Sequence, residues 1–347
     1  MSLKRIVIKI GTNVLQQTNG KLDYKLISEL TSQIARIRSN GHEVLLVSSG
    51  SVGAGRELFS VDESGNTLAS HQILASVGQA KLIQIYSDSF RKHKTTVAQI
   101  LLTRGDFGLR KSYLNIRNTL ENLLKYRIVP IVNENDVVAT EELDLNFGDN
   151  DLLAVYLATL IGADQLFFLT VAPGLLKEEE TAQGKQSKVV AKVEKLTEEI
   201  IQHCLPFTSA GGKGGMESKV RSAGMAMSFG IDTYIIDGKF PAGVFEIMEG
   251  RPLGTHFVAH GRKIRSYQKW LAAGALNKGT LIIDQGAEQA LLKNKKSLLA
   301  RGVARVEGQF EDKDLVEIHN LEGAVSYTHL RAHETLRYLV CRLLLEK

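Results

Sequence analysis

With 347 residues and 44% hydrophobic content, the chain can bury one large α/β core and a small second one; its longest apolar run, about Leu152 to Ala163, is too short to span a bilayer, so no membrane partner is expected. Its 43 basic and 38 acidic residues leave a net charge of +5 that is spread along the chain, which disfavours RNA or DNA as a partner. Lys4, Arg5 and Lys9 interrupt any signal-peptide core, and the two distant cysteines, Cys204 and Cys341, make neither a disulfide framework nor a metal cluster, so a reducing cytoplasm is expected.

The first predicted element is a strand from Arg5 to Ile10, with a cation, Lys9, at the end of a run that otherwise calls for burial. Such a lysine either snorkels to solvent or is held for chemistry. Leu26, Ile27, Leu30, Ile34 and Ile37 recur at helical spacing over Tyr24 to Asn40, and Gly41 stops that helix. A second strand, Glu43 to Val47, feeds Ser48-Ser49-Gly50-Ser51-Val52-Gly53-Ala54-Gly55, whose hydroxyls and glycine amides suit an anion at the start of a helix. Helical patterns over Leu68 to Lys92 and Ser112 to Lys125 flank a strand, Thr96 to Leu102; strand alternating with helix predicts a mostly parallel sheet covered on both faces. Arg104, Asp106 and Asn115, near that strand's exit, read as surface or subunit contacts.

Ile128 to Val132 is a buried strand that gives way to Asn133, Glu134, Asn135 and Asp136, side chains that prefer loops to sheet interiors. Hydrogen-bonding groups at a strand's carboxyl end lie where open α/β sheets bind ligands. Gly148-Asp149-Asn150-Asp151 then leads into an apolar helix, Leu152 to Ile161, which needs only one of these residues as a cap. Gln165 to Thr170 is a further strand, Lys177 to Lys188 a solvated hairpin or flap, and Leu196 to Cys204 a modest helix. The third polar loop, Ala210 to Lys219, places four glycines in five residues before a helix running to about Ser228. Its amides can approach a phosphate chain closely, although no Gly-Lys is followed by Ser or Thr as a Walker A loop requires. Strand Thr233 to Ile236, helix Ala242 to Met248 and Gly254 to Val258 complete the large domain. Beyond Lys269, short β-type runs (Thr280 to Ile283, Val303 to Val306, Leu315 to Ile318) and one helix around Ala287 to Lys293 describe a small β-rich module.

Lys9-Ile10-Gly11-Thr12-Asn13-Val14-Leu15, Ser48-Ser49-Gly50, Val132-Asn133-Glu134-Asn135-Asp136, Gly148-Asp149-Asn150-Asp151 and Gly214-Gly215-Met216-Glu217-Ser218-Lys219 occur in the order and approximate spacing of the glutamate 5-kinase family, which the chain resembles from about Lys4 to Gly323. The resemblance implies the amino acid kinase fold, a three-layer α/β/α sandwich with a mostly parallel sheet, followed by a small β-rich PUA-like domain. The bounds it implies are residues 1–260 for the kinase domain, 261–276 for a linker and 277–324 for the small domain. It also implies ATP-dependent phosphorylation of the γ-carboxylate of L-glutamate, the first step toward proline. Carried over, Lys9 and Lys219 would stabilise the phosphoryl group in flight with Asp151 orienting them. Ser49, Gly50, Asn133, Asp136 and Asn150 would hold glutamate. Lys9, Gly11, Thr170, Val171, Lys213, Gly214, Gly215, Met216, Glu217, Ser218 and Lys219 would line the nucleotide site. Mg²⁺ would ride on the ATP phosphates, with no protein ligand named; proline as feedback inhibitor and a homo-dimer or tetramer are further implications.

Two departures stand out. Val171 follows Thr170 where the family pattern has Asp, and residues 325–347 turn Leu/Arg-rich where the small domain calls for more strand. The expectation is that 325–347 is non-native sequence that leaves the small domain incomplete, with Leu336, Leu339, Val340, Leu343 and Leu344 on one face of a helix. The alternatives are a sister kinase acting on aspartate, N-acetylglutamate, carbamate or a nucleoside monophosphate, and, in a different class, an RNA-binding protein acting through the PUA-like module.

Overall fold

The computed structural model describes residues 3–61, 67–138, 150–181, 184–202, 215–259, 277–292, 298–308, 315–321 and 325–331. Contacts divide the chain into two units, residues 1–106 with 111–269, and residues 107–110 with 270–347.

Over residues 3–170 the elements run β1 (Arg5–Ile10), α1 (Thr12–Leu15), α2 (Tyr24–Ser39), β2 (Glu43–Ser48), α3 (Ser51–Arg56), α4 (Thr67–Arg91), β3 (Val97–Leu102), α5 (Arg104–Gly108), α6 (Arg110–Lys125), β4 (Val129–Glu134), α7 (Asn150–Ile161) and β5 (Gln165–Thr170). They continue as the hairpin β6 (Leu176–Thr181) and β7 (Gly184–Val189), then β8 (Lys192–Val193), α8 (Glu198–Gln202), α9 (Met216–Ser228), β9 (Asp232–Asp237), α10 (Gly243–Met248) and β10 (Thr255–Phe257). Eight strands form one sheet in the order β3-β4-β2-β1-β5-β9-β10-β8. Neighbours from β3 to β9 pair in parallel, and β10 runs antiparallel to β9. After β1 the chain turns to one side of the sheet, and after β5 to the other, so a crevice opens between their carboxyl ends, where such sheets bind ligands.

Side-chain parity along β1 decides what reaches that crevice. Ile6, Ile8 and Ile10 join a core with Ile27 and Leu30 of α2, Tyr86 and Phe90 of α4, and Val244 and Ile247 of α10. Val7 and Lys9 alternate with them and therefore point to the other face, which α7 and α9 cover. Helices on both faces make this the expected three-layer α/β/α sandwich. Asp23 caps α2 by accepting from Leu26 N at 3.1 Å, and the helix buries Leu26, Ile27, Leu30, Ile34 and Ile37.

Strand β4 runs two residues past its expected end at Val132. Asn133 and Glu134 stay in register with Leu101 and Leu102 because the neighbouring strand β3 still offers backbone partners there. The helix expected over Leu196 to Cys204 begins two residues later, at Glu198, and runs through Gln202 among the described residues; Cys204 lies outside them.

The small unit contains β11 (Asn277–Ile283), α11 (Gln285–Leu292), β12 (Val303–Gly308), β13 (Leu315–His319) and β14 (Val325–Arg331). Their sheet has the order β12-β11-β13-β14 and packs Leu281, Ile283, Val316 and Ile318 against Leu291 of α11. Val325–Arg331 forms a fourth strand, antiparallel to β13, where the sequence reading gave the small domain no further strand. Within this run Val325 and Thr328 are β-branched and Tyr327 is aromatic, residue types that favour strand. The helical face from Leu336 to Leu344 lies outside the described residues.

Candidate active site

Three elements deliver one charge each to the carboxyl end of the sheet. Lys9 comes from the last turn of pleat in β1, Asp151 from the first turn of α7 and Lys219 from the first turn of α9. Lys9 Nζ lies 2.5 Å from Asp151 Oδ1 and Lys219 Nζ lies 3.1 Å from Asp151 Oδ2. The residues are 4%, 0% and 6% exposed, so Lys9 does not snorkel to solvent. Burial alone would raise the Asp151 carboxyl, but the charges and hydrogen bonds of Lys9 and Lys219 outweigh it and hold the group below its ordinary range. One carboxylate shared by two ammonium groups leaves this buried cluster one positive charge in excess. That excess suits an anion arriving from the crevice.

The helix ends add to the same field. Gly215, in extended conformation, precedes α9 without a side-chain cap, so the first N–H groups of a 13-residue helix are not taken up by a capping side chain. Gly50, at φ +108°, turns β2 into α3 through a left-handed conformation that a side chain would strain. Gly11 N reaches Leu169 O at 3.4 Å across the β1–β5 crevice.

Beside the charged cluster lies a hydrogen-bonded group of amides and hydroxyls. Asn150 Nδ2 donates to Ser49 Oγ at 2.8 Å and to Asn133 Oδ1 at 3.0 Å. Ser51 Oγ donates to Asp136 Oδ2 at 3.1 Å. Ser49 Oγ is thus an acceptor within the protein, which leaves its proton to be donated outward. The Ser49 loop is anchored from behind: Ser48 Oγ donates to Ser49 O at 2.9 Å and meets Tyr86 Oη at 2.8 Å, and burial pushes the Tyr86 phenol far up.

The structure therefore brings together Lys9, Asp151 and Lys219, and next to them Ser49, Asn133 and Asn150, with Asp136 on Ser51. It does not bring Glu217 into this cluster: its carboxylate bonds Arg221 one turn along α9, at 2.8 Å. Met216 is buried in the helix's first turn, and Thr170 ends β5 with its carbonyl accepting from Gly238 N at 2.7 Å. Val171 is 49% exposed just beyond. Lys213 and Gly214 lie outside the described residues. Sequence reading missed Gln79, whose Oε1 accepts from Asn133 Nδ2 at 2.8 Å. The only hint in the sequence was Gly78 beside it, a small residue inside a long helix.

Residues 4–237 match the amino acid kinase family and residues 279–326 match the PUA domain. A glutamate 5-kinase from Dehalococcoides mccartyi is 39% identical over 321 residues, covering 92% of this chain and 86% of that protein. One from Nostoc punctiforme is 40% identical over 326 residues, covering 92% and 87%. Among solved structures, a UMP kinase from Bacillus anthracis superposes with a TM-score of 0.51 at 14% identity over 75% of this chain and 98% of that one. A carbamate kinase from Giardia lamblia bound to AMP-PNP gives 0.52 at 17% identity over 75% and 99%. These two structural likenesses speak to the fold alone.

Proposed function

The chain belongs to the amino acid kinase family and carries a C-terminal PUA domain, and from that premise we propose that it transfers the γ-phosphoryl group of ATP to the side-chain carboxylate of L-glutamate, making L-glutamyl 5-phosphate for proline synthesis. The observation that carries the reading is the pair of buried ammonium groups on one buried carboxylate, set beside a hydrogen-bonded group of amides and hydroxyls.

A carboxylate oxygen forms a bond to the γ-phosphorus while the bond to the β–γ bridging oxygen breaks, and ADP leaves with the electron pair. Both reactants are anions, so the protein's work is to position them and compensate charge. Lys9 and Lys219 serve the phosphoryl oxygens, and Asp151 holds the two ammonium groups at one point. No general base is required, because a glutamate side chain with a pKa of about 4.3 is already ionised near neutral pH. Ser49, through its free proton, and Asn150 hold the acceptor, and Asp136 pairs with its ammonium group. The Gly215 amide and the start of α9 receive the nucleotide phosphates. Val171 offers the nucleotide no side-chain hydrogen bond, so contacts there are apolar or through the backbone.

Among the described residues no group of three or more His, Cys, Asp or Glu side chains could hold a metal ion, and Asp151 is committed to two lysines. Mg²⁺ belongs in this reading as the counter-ion the nucleotide brings with it. Feedback by proline, a homo-oligomer and a cytoplasmic location belong to the same proposal.

The test is ADP release measured side by side with L-glutamate, L-aspartate, N-acetylglutamate, carbamate and UMP, with hydroxylamine present to trap an acyl phosphate. Glutamate is expected to give both ADP and hydroxamate. ADP release with another acceptor, and none with glutamate, would overturn the substrate assignment.

A further inference from the structure

Gln79 reaches the acceptor pocket because two helices touch at glycine. A Cβ on Gly78 of α4 would lie 1.8 Å from Ser51 O and 2.3 Å from Gly55 N, and one on Gly55 of α3 would lie 2.0 Å from Leu74 O. The backbones are in contact at this crossing. The next residue along α4 is thereby delivered to the carboxyl end of β4, where Gln79 Oε1 accepts from Asn133 Nδ2 at 2.8 Å.

Each amide has one accepting end and one donating end, so amides bonded in series share a direction. Gln79 presents oxygen to Asn133, Asn133 presents oxygen to Asn150 at 3.0 Å, and Asn150 spends its nitrogen on Asn133 and Ser49. What remains is Asn150 Oδ1, buried and with no partner among the described residues. Reversing Gln79 would reverse the whole series and leave a nitrogen there instead. A buried acceptor without a donor costs about 1–3 kcal/mol, and a ligand that brings an N–H recovers it.

We propose that Gln79 is a positioning residue that sets the polarity of the acceptor pocket: through Asn133 it obliges Asn150 to offer oxygen, so the pocket selects an acceptor that carries an ammonium group over the same dicarboxylate without one. The inference rests on the reading of glutamate as phosphoryl acceptor. It assigns Gln79 no contact with the reacting atoms.

The test compares L-glutamate with glutarate, which has both carboxylates and no ammonium, in the wild-type chain and in Gln79→Glu and Gln79→Met. Glutamate hydroxamate formation gives KM and kcat, and competition gives the inhibition constant for glutarate. Glu at position 79 is an acceptor only, so Q79E is expected to keep the wild-type preference for glutamate. Met fills similar space but bonds nothing; Q79M is expected to raise the glutamate KM about tenfold, the equivalent of one lost hydrogen bond. In Q79M the preference over glutarate should shrink by the same factor while the KM for ATP stays put. If Q79M keeps the preference, or a folded Q79E loses it, Gln79 is a spacer and the proposal is overturned with the glutamate reading intact. A wild-type chain that forms no glutamate hydroxamate overturns that reading and this one with it.

Discussion

Asp151 is the residue on which the account turns, because a fully buried carboxylate survives only where its charge is answered. Replacing it with Asn leaves two ammonium groups buried close together with nothing between them. Removing one partner of a buried ion pair typically costs about 3–5 kcal/mol, and losing a preorganised group of this kind costs about 10²- to 10³-fold in rate. Asp151→Asn is therefore expected to lower kcat by at least that factor and to unfold at clearly lower urea. The pH dependence has a definite sign. The folded-state value of Asp151 lies below its ordinary 3.8, so its stabilisation is present in full above that pH and is lost as pH falls through the depressed value. Urea midpoints measured from pH 7 down to pH 2 should show the gap between wild type and D151N closing only below about pH 3.8. A gap that stays constant over that range would contradict the assignment. Lys9 could be singled out in the sequence as a misplaced cation. Its direction was also legible, since the alternation of Ile6, Ile8 and Ile10 with Val7 and Lys9 puts it on the opposite face from the α2–α4 core.

At the scale of elements, the Ser49, Asn133 and Asn150 group proposed to hold the acceptor depends on how α3 and α4 meet. Gly55 and Gly78 let the backbones touch, and Glu57 fastens the result. Its carboxylate accepts from Leu22 N at 2.5 Å, from Tyr24 Oη at 2.8 Å and from Lys81 Nζ at 2.5 Å, joining the start of α2, the end of α3 and the middle of α4. Burial would raise this carboxyl, and the bonds from Lys81, Leu22 and Tyr24 bring it below its ordinary 4.5. Glu57→Ala is expected to cost about 1.5–3 kcal/mol at neutral pH, as hydrogen bonds to charged groups do. That cost should fade as the pH falls through the lowered value, because the wild-type carboxylate then protonates too. Equal urea midpoints for E57A and wild type at pH 7 would contradict this role. Gly78→Ala tests the crossing itself: the added methyl would sit 1.8 Å from a carbonyl oxygen, so loss of glutamate turnover is expected before loss of fold. This crossing was not legible in the sequence, because a glycine inside a helix signals close approach without naming the partner. Strand β4 was legible in place but not in length: Asn133 and Glu134 read as loop residues, and only the presence of β3 as a neighbour keeps them paired.

For the molecule as a whole, the order of strands and helices was readable from periodicity, while the position of β1 in the sheet was not. That position follows from which helix covers which face, a long-range property no local window holds. It is nevertheless what makes the site, since it sets the carboxyl ends of β1 and β5 side by side and lets α7 and α9 bring Asp151 and Lys219 to Lys9. The small unit shows the reverse case: composition argued against strand after Gly323, yet β13 has an edge to which Val325–Arg331 pairs.

The measurement that bears most directly on the central claim is a double-mutant cycle on the two lysines, with kcat and KM for glutamate determined in Lys9→Met, Lys219→Met and the double variant. If both ammonium groups act on one phosphoryl group through one carboxylate, each single change lowers kcat by about 10²- to 10³-fold, KM for glutamate moves little, and the double variant falls far less than the product of the two. A single variant that keeps kcat within about threefold of wild type, or losses that simply multiply, would contradict it.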